Sequence, residues 1–299
     1  MWLILAFASA ALHGCYDICK KRALLNNAVL PVLFFNTLFS ALIFLPLILS
    51  SIFGWGIGDG TLFEVPSMGW EAHKYVFVKA CIVLTSWTFG YVAMKNLPIT
   101  IVGPINATRP VGVLIGAMLI FGERLNVCQW IGVTLAIAAI FLLSFSSKKE
   151  GIDFKHNKWI LCLLIAALAA IASGLYDKYI MMKLAPMFVQ AWCNFYLAII
   201  MGAVIVALWY PTRKSTTPFR WTWVIVLVTL FLTVADFLYF YSLSQEGAMI
   251  SIISMVRRGS VVVSFLGGAL IFRERNVKNK AAGLLLILIG MIFLYFGSK

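Results

Sequence analysis

Ten stretches of this chain run for roughly 20 residues or more with mostly apolar side chains, the length a helix needs to cross about 30 Å of hydrocarbon. They are Trp2–Arg22, Val29–Phe53, Tyr75–Lys95, Pro98–Phe121, Val127–Phe145, Lys158–Met182, Met187–Tyr210, Trp221–Ser244, Gly247–Phe272 and Val277–Gly297. Each run is continuously apolar instead of alternating every second residue, which predicts helices and excludes the strands of a barrel. With 62% hydrophobic and only 12% charged residues, and a mean hydropathy of +0.97, nothing is left over for a soluble domain. The longest connection, Gly54–Lys74, is short and rich in glycine. The expectation is an all-α membrane protein of ten transmembrane helices. The first run is read as a span and not as a cleaved leader, because no basic residue precedes it while Lys20, Lys21 and Arg22 follow it.

The formal net charge of +13 is a topological signal, not a nucleic-acid footprint. Basic residues crowd the connections after the first, fifth, seventh and ninth runs: "KKR" at 20–22, "KKEGIDFKHNK" at 148–158, "RKSTTPFR" at 213–220 and "RERNVKNK" at 273–280. All of these are odd-numbered connections. In a cytoplasmic (inner) membrane this distribution puts them in the cytoplasm and both termini outside it. The six cysteines lie almost all within spans and without metal-type spacing, so they read as small buried apolar residues.

The chain also repeats itself. Sliding residues 106–148 onto 257–299, a shift of 151, lays "GAMLIFGERLN" on "GGALIFRERNV", and "GCYD" at 14–17 echoes "GLYD" at 174–177. Each half then holds five spans, 1–147 and 158–299, joined by a loop at 148–157. Because five is odd, consecutive halves face opposite ways across the bilayer. This predicts two inverted five-helix repeats around a central cavity at the midplane.

Two five-helix halves, each with a "GER" or "RER" element between its fourth and fifth helices, resemble the drug/metabolite transporter superfamily, and in particular its EamA-like permeases. The stretch "FGERLNVCQWIGVTLAIAAIFLL", 121–143, carries most of the resemblance. It implies a multi-pass secondary transporter that moves a small organic metabolite by alternating access. It also implies cytosolic termini, against the charge distribution, which we follow here.

The candidate site begins with arginine. Arg109 lies 11 residues from Pro98 and 12 from Phe121, about 16 Å from either end of its helix at 1.5 Å per residue, too deep to snorkel. Arg257 and Arg258 are similarly deep. Each such charge costs about 2.5–3.5 kcal/mol unless it faces a polar cavity or a partner, and arginine does not shed its proton. Asp236 is the clearest intramembrane acid and neutralises one arginine at most. Adjacent helical residues point about 100° apart, so one of Arg257 and Arg258 is expected to face the cavity while the other pairs with Asp236. Plastid phosphate translocators, distant members of the superfamily, are similar in placing basic residues on the fourth and ninth helices, which implies a phosphate- or carboxylate-bearing solute held by forked guanidinium bonds.

Around this core we single out Trp87, Tyr91, Tyr239 and Tyr241 as surfaces for stacking an organic body, and Asn36 and Asn194, in the second helix of each half, as polar contacts. Tyr16-Asp17 and Tyr176-Asp177 come late in helices of opposite direction and are candidate gates at opposite mouths. His13 and Asp236 are candidates for coupling. Packing, interface anchoring and helix-end solvation are the bland alternatives for these positions. Glu123 and Glu274 read as caps or local pairs. Three scattered histidines, His13, His73 and His156, offer neither a metal cluster nor a nucleophile and its base, so no enzyme, cofactor or metal is expected. The partners expected are a small-molecule solute and the lipid bilayer, with no nucleic acid. A coupling proton and the choice between monomer and homodimer stay open. An exporter of neutral drugs or amino acids and a flippase of lipid-linked sugar or phosphate are the alternative functions.

Overall fold

The computed structural model describes residues 2–58, 60–61, 63–121, 125–148, 156–181, 183–214, 216–243, 256–274 and 277–297. Among them every regular element is helical. The helices are α1 (Trp2–Leu24), α2 (Val29–Phe53), α3 (Trp70–Asn96), α4 (Ile99–Ala107), α5 (Arg109–Phe121), α6 (Val127–Lys148), α7 (Lys158–Met181), α8 (Pro186–Val204), α9 (Val224–Leu243), α10 (Ser260–Leu270) and α11 (Val277–Gly297). A π-turn at Ile205–Trp209 prolongs α8 toward Thr212. Pro186 opens α8 at a position where no N–H is needed. Gly54, at φ +69°, closes α2 by donating its amide to the Ser50 carbonyl at 2.8 Å.

Seven described helices are long and apolar enough to cross a membrane, and Val224–Tyr239 is a shorter apolar one. The difference from ten runs has a local cause. The run Pro98–Phe121 is not one helix but two, α4 and α5, interrupted at Thr108. Pro110 cannot donate to the Asn106 carbonyl and its ring crowds that turn, so the chain tightens into Thr108 N–H to Ile105 and Val111 N–H to Thr108 bonds. The run Gly247–Phe272 is described only from Val256, and there too the helix is interrupted, at Gly259, before α10 begins. Thr108 and Gly259 are 151 residues apart, the shift that aligns the two halves of the sequence.

Four helix pairs dominate the packing: α6 on α11, α1 on α9, α3 on α7 and α2 on α8. Lesser contacts join α1 to α10, α5 to α7 and α4 to α10. Small residues bring the backbones close. A Cβ placed on Gly132 would lie 2.7 Å from Leu294 and 2.8 Å from the Gly290 carbonyl, so α6 and α11 meet almost backbone to backbone. Buried serines tie two of the other pairs, Ser9 donating to the Ala235 carbonyl at 2.6 Å and Ser86 to the Ala166 carbonyl at 2.8 Å. Outward-facing positions are apolar as lipid requires. Leu119 and Leu270, again 151 residues apart, are 74% and 75% exposed.

At the end of the bundle where α1 finishes, two buried or half-buried charges hold the α3–α4 junction. Lys21 turns away from Asp17 and donates to the carbonyls of Met94 at 2.7 Å and Leu97 at 2.5 Å, satisfying the carboxyl end of α3. Glu274 acts as a cap, though of a helix distant in sequence. It reaches from the α10–α11 connection to the amino end of α4 and accepts from Ile99 N–H at 2.7 Å, Thr100 N–H at 2.9 Å and the Thr100 hydroxyl. Glu123, Arg124 and Arg275 lie outside the described residues.

Candidate functional site

Two adjoining chambers lie between the helices. The first, about 300 Å³, is walled by α1, α3, the α4–α5 break, α9 and the helical turn at 256–258. His13, Tyr16, Asp17, Trp87, Tyr91, Arg109, Asp236, Arg257 and Arg258 all line it, so most of the residues singled out in the sequence converge on one space. The helix interruption explains how Arg109 gets there: it is the first residue of α5, where the backbone has just turned at Thr108.

The charges in this chamber sort into pairs and a remainder. Arg257 forms an ion pair with Asp236 and lays its guanidinium 4.3 Å from the centre of the Tyr239 ring. Lys20 forms another with Asp17 at 2.6 Å and sits 4.2 Å over the Tyr16 ring. Arg109 and Arg258 make no ion pair among the described residues, and they repel one another. Arg109 Nε is buried without a hydrogen-bond partner. Arg258 is exposed and lines the chamber. Among the described residues, four cations against two carboxylates leave two positive charges without a counter-charge. We call this the basic chamber.

The second chamber, about 370 Å³, is lined by Ser40, Lys79, Ser173, Asp177, Gln190 and Asn194 among others. Lys79 and Asp177 are ion-paired. The two chambers share four lining residues, Trp87, Leu232, Asp236 and Arg257, so the Arg257–Asp236 pair and its apolar neighbours form the partition. Among the described residues of this second chamber two cations meet two carboxylates, each in a pair. We call it the balanced chamber.

Other selected positions fall elsewhere. Asn36 faces neither chamber. It is fully buried against α9, where its side-chain oxygen accepts from the Thr229 hydroxyl at 3.0 Å. Tyr241 stacks on Phe237 and is not among the residues lining either chamber; nor is Tyr239, whose ring lies against the Arg257 guanidinium. Tyr176 donates its hydroxyl to the Tyr75 carbonyl at 3.2 Å, beside Asp177 but outside both cavities. In each case the rotation of the helix about its axis, which pattern does not fix, decides the partner.

Lys79, Asn106 and Gln190 were not singled out from the sequence, and Lys20 is legible there only as a neighbour of Asp17 on the same helix face. Lys79 carried a weak signal, an ammonium four residues inside the run Tyr75–Lys95, whereas Lys20 stands in a basic flank. Asn106 lies three residues before Arg109, and its side-chain oxygen is buried and unpartnered on the basic chamber.

Comparison with known proteins bears on what such a cavity does. No curated protein matches this chain. A solved crystal structure of a protein has the same fold, with a TM-score of 0.60 at 15% identity over 98% of this chain and 95% of that one. The model of the EamA-like transporter family matches residues 1–145 and again 157–296. Together these stretches take in nearly the whole length, and the chain is therefore a multi-pass membrane protein of the EamA-like transporter family, within the drug/metabolite transporters.

Proposed function

We propose that the protein carries a small organic anion, bearing phosphate or carboxylate, across a cytoplasmic membrane by alternating access of two inverted five-span halves, residues 1–147 and 158–299. The observation that carries this reading is the pair of guanidinium groups, Arg109 and Arg258, that line one chamber between the helices without an ion pair among the described residues. An isolated cation in a low-dielectric space is costly, and an anion in transit removes that cost.

Several features support the two-halves part of the reading. Helix interruptions recur at Thr108 and Gly259, at the shift that aligns the halves. The packed pairs α1 on α9 and α7 on α3 exchange with one another when the halves are swapped, as do α1 on α10 and α7 on α5. The two mouths differ. Asp17, with Lys20 and the buried Tyr16 and Tyr91, is 15% exposed, whereas Asp177 at the other end is 37% exposed. One closed and one open mouth is what a single state of an alternating carrier has.

The test is binding of anionic solutes by purified, folded Arg109 variants. Loss of a charge-assisted fork removes roughly 1.5–3 kcal/mol, about 10- to 150-fold in affinity. Arg109→Gln loses charge and fork and is expected to weaken binding by that range, while Arg109→Lys keeps the charge and falls between. If Arg109→Gln and Arg258→Gln fold normally and bind phosphorylated and carboxylated solutes as tightly as the parent, the solute is not an anion held here, and a neutral-solute exporter replaces this reading.

A further inference from the structure

We infer that the balanced chamber is a second binding region for the same solute, one that takes an uncharged, hydroxyl- or amide-bearing body while the basic chamber takes the anionic head. This rests on the anion reading above. The two regions abut at the Arg257–Asp236 pair and share Trp87 and Leu232 as walls, so an elongated molecule that reaches past this pair would touch both. Their chemistry differs sharply. In the basic chamber positive charge is in excess; in the balanced chamber Lys79 is matched by Asp177 and Arg257 by Asp236, so a further charge on the solute would have to break one of those pairs.

What the balanced chamber offers instead is neutral polarity. Gln190 and Asn194 are four residues apart on α8 and therefore share a face of that helix. The Asn194 side-chain nitrogen donates to the Gln190 backbone carbonyl at 2.9 Å, which fixes the amide and leaves its oxygen and second N–H available. The Ser40 hydroxyl on α2 and the Ser173 hydroxyl on α7 line the same space from other walls, and Phe44, Val83 and Leu197 supply apolar surface. A hydrocarbon body would strand the amides, and a charged one would disturb the pairs. A neutral polar body does neither.

The two second-helix asparagines point the same way. Asn36 turns its side-chain oxygen to Thr229 and away from both chambers, while its counterpart Asn194 faces the chamber and bonds no group outside its own helix among the described residues. A purely structural amide has no need to differ between the two.

The experiment compares two bare anions, inorganic phosphate and acetate, with two that carry a hydroxylated body, glycerol 3-phosphate and glycerate, by calorimetry on the purified full-length protein. At least one body-bearing probe is expected to bind about tenfold more tightly than its bare counterpart, the worth of one or two hydrogen bonds. Asn194→Leu and, as an independent variant, Gln190→Ala should each pull that ratio toward one, whereas Arg109→Gln weakens bare and body-bearing probes together. If bare and body-bearing probes bind alike, or if the ratio survives in every folded variant, the second region is wrong while the anion site stands. If none of the four probes binds the parent, the anion reading fails and takes this inference with it.

Discussion

Glu274 and Ile99 are 175 residues apart in sequence and 2.7 Å apart in space, the carboxylate closing the amino end of α4 from the far half of the chain. The same carboxylate takes the Thr100 amide and hydroxyl, and Lys280 donates to that hydroxyl at 3.1 Å. This junction ties the later part of the chain to the earlier one at the end of the bundle where α1 finishes.

Glu274→Gln keeps the shape but removes the charge that favours a helix amino terminus and strengthens each of these bonds. It is expected to cost about 1.5–3 kcal/mol, read as a lower melting temperature in detergent. A Gln variant that melts with the parent means the cap contributes nothing to holding the halves together.

Arg257 and Asp236 make a different kind of prediction. Removing one partner of an intramembrane pair strands the other, so Arg257→Gln alone is expected to lose about 3–5 kcal/mol of stability. Adding Asp236→Asn should return a substantial part of it, since the orphaned carboxylate is gone. Arg258→Gln, with no described ion pair to break, should melt close to the parent. Equal losses for Arg257→Gln and Arg258→Gln, with no rescue by Asp236→Asn, would contradict the assignment of partners.

Packing of α6 on α11 depends on the missing side chain of Gly132. Gly132→Ala pushes a methyl into Leu294 and the Gly290 carbonyl and should cost about 1–3 kcal/mol despite alanine's better helix propensity. Gly202→Ala is the control, because its added carbon would meet Phe34 at an ordinary 3.6 Å. It should be neutral or slightly stabilising. Identical melting of the two variants would show that the close approach of α6 and α11 is not limiting.

Alternation between the two mouths is checked by thiol labelling in a background freed of the six native cysteines. A cysteine at Gln190, in the balanced chamber, should react readily with an impermeant reagent before solute is added, and one at Ser86, deep in the basic chamber, slowly. Solute that drives the opposite state should reverse that order. Parallel changes at both positions would argue for simple occlusion instead of alternation.

The basic connections imply that a reporter fused after Lys299 lies outside the cytoplasm. A reporter active on the cytosolic side would invert the assignment of the two mouths without altering the bundle.

What could be read from the sequence, and what could not, divides along a physical line. Transfer of a residue into hydrocarbon is a property of the residue and its near neighbours, so the run Val29–Phe53 coincides with a helix to the residue. The cost of burying a guanidinium is equally local, which is why Arg109, Arg257 and Arg258 stood out before any fold was known. Direction around a helix axis is not local. Asn36 and Asn194 are alike in sequence, yet one is sealed against Thr229 and the other faces a chamber, because packing of α2 and α8 against different neighbours rotates them differently. Sequence placed one of two adjacent arginines on Asp236; only the positions of α9 and the turn before Gly259 made it Arg257. The interruption at Thr108 was half legible, since Pro110 forbids a regular turn there, but its consequence, Arg109 aimed into a shared cavity, needed helices brought together from both halves of the chain.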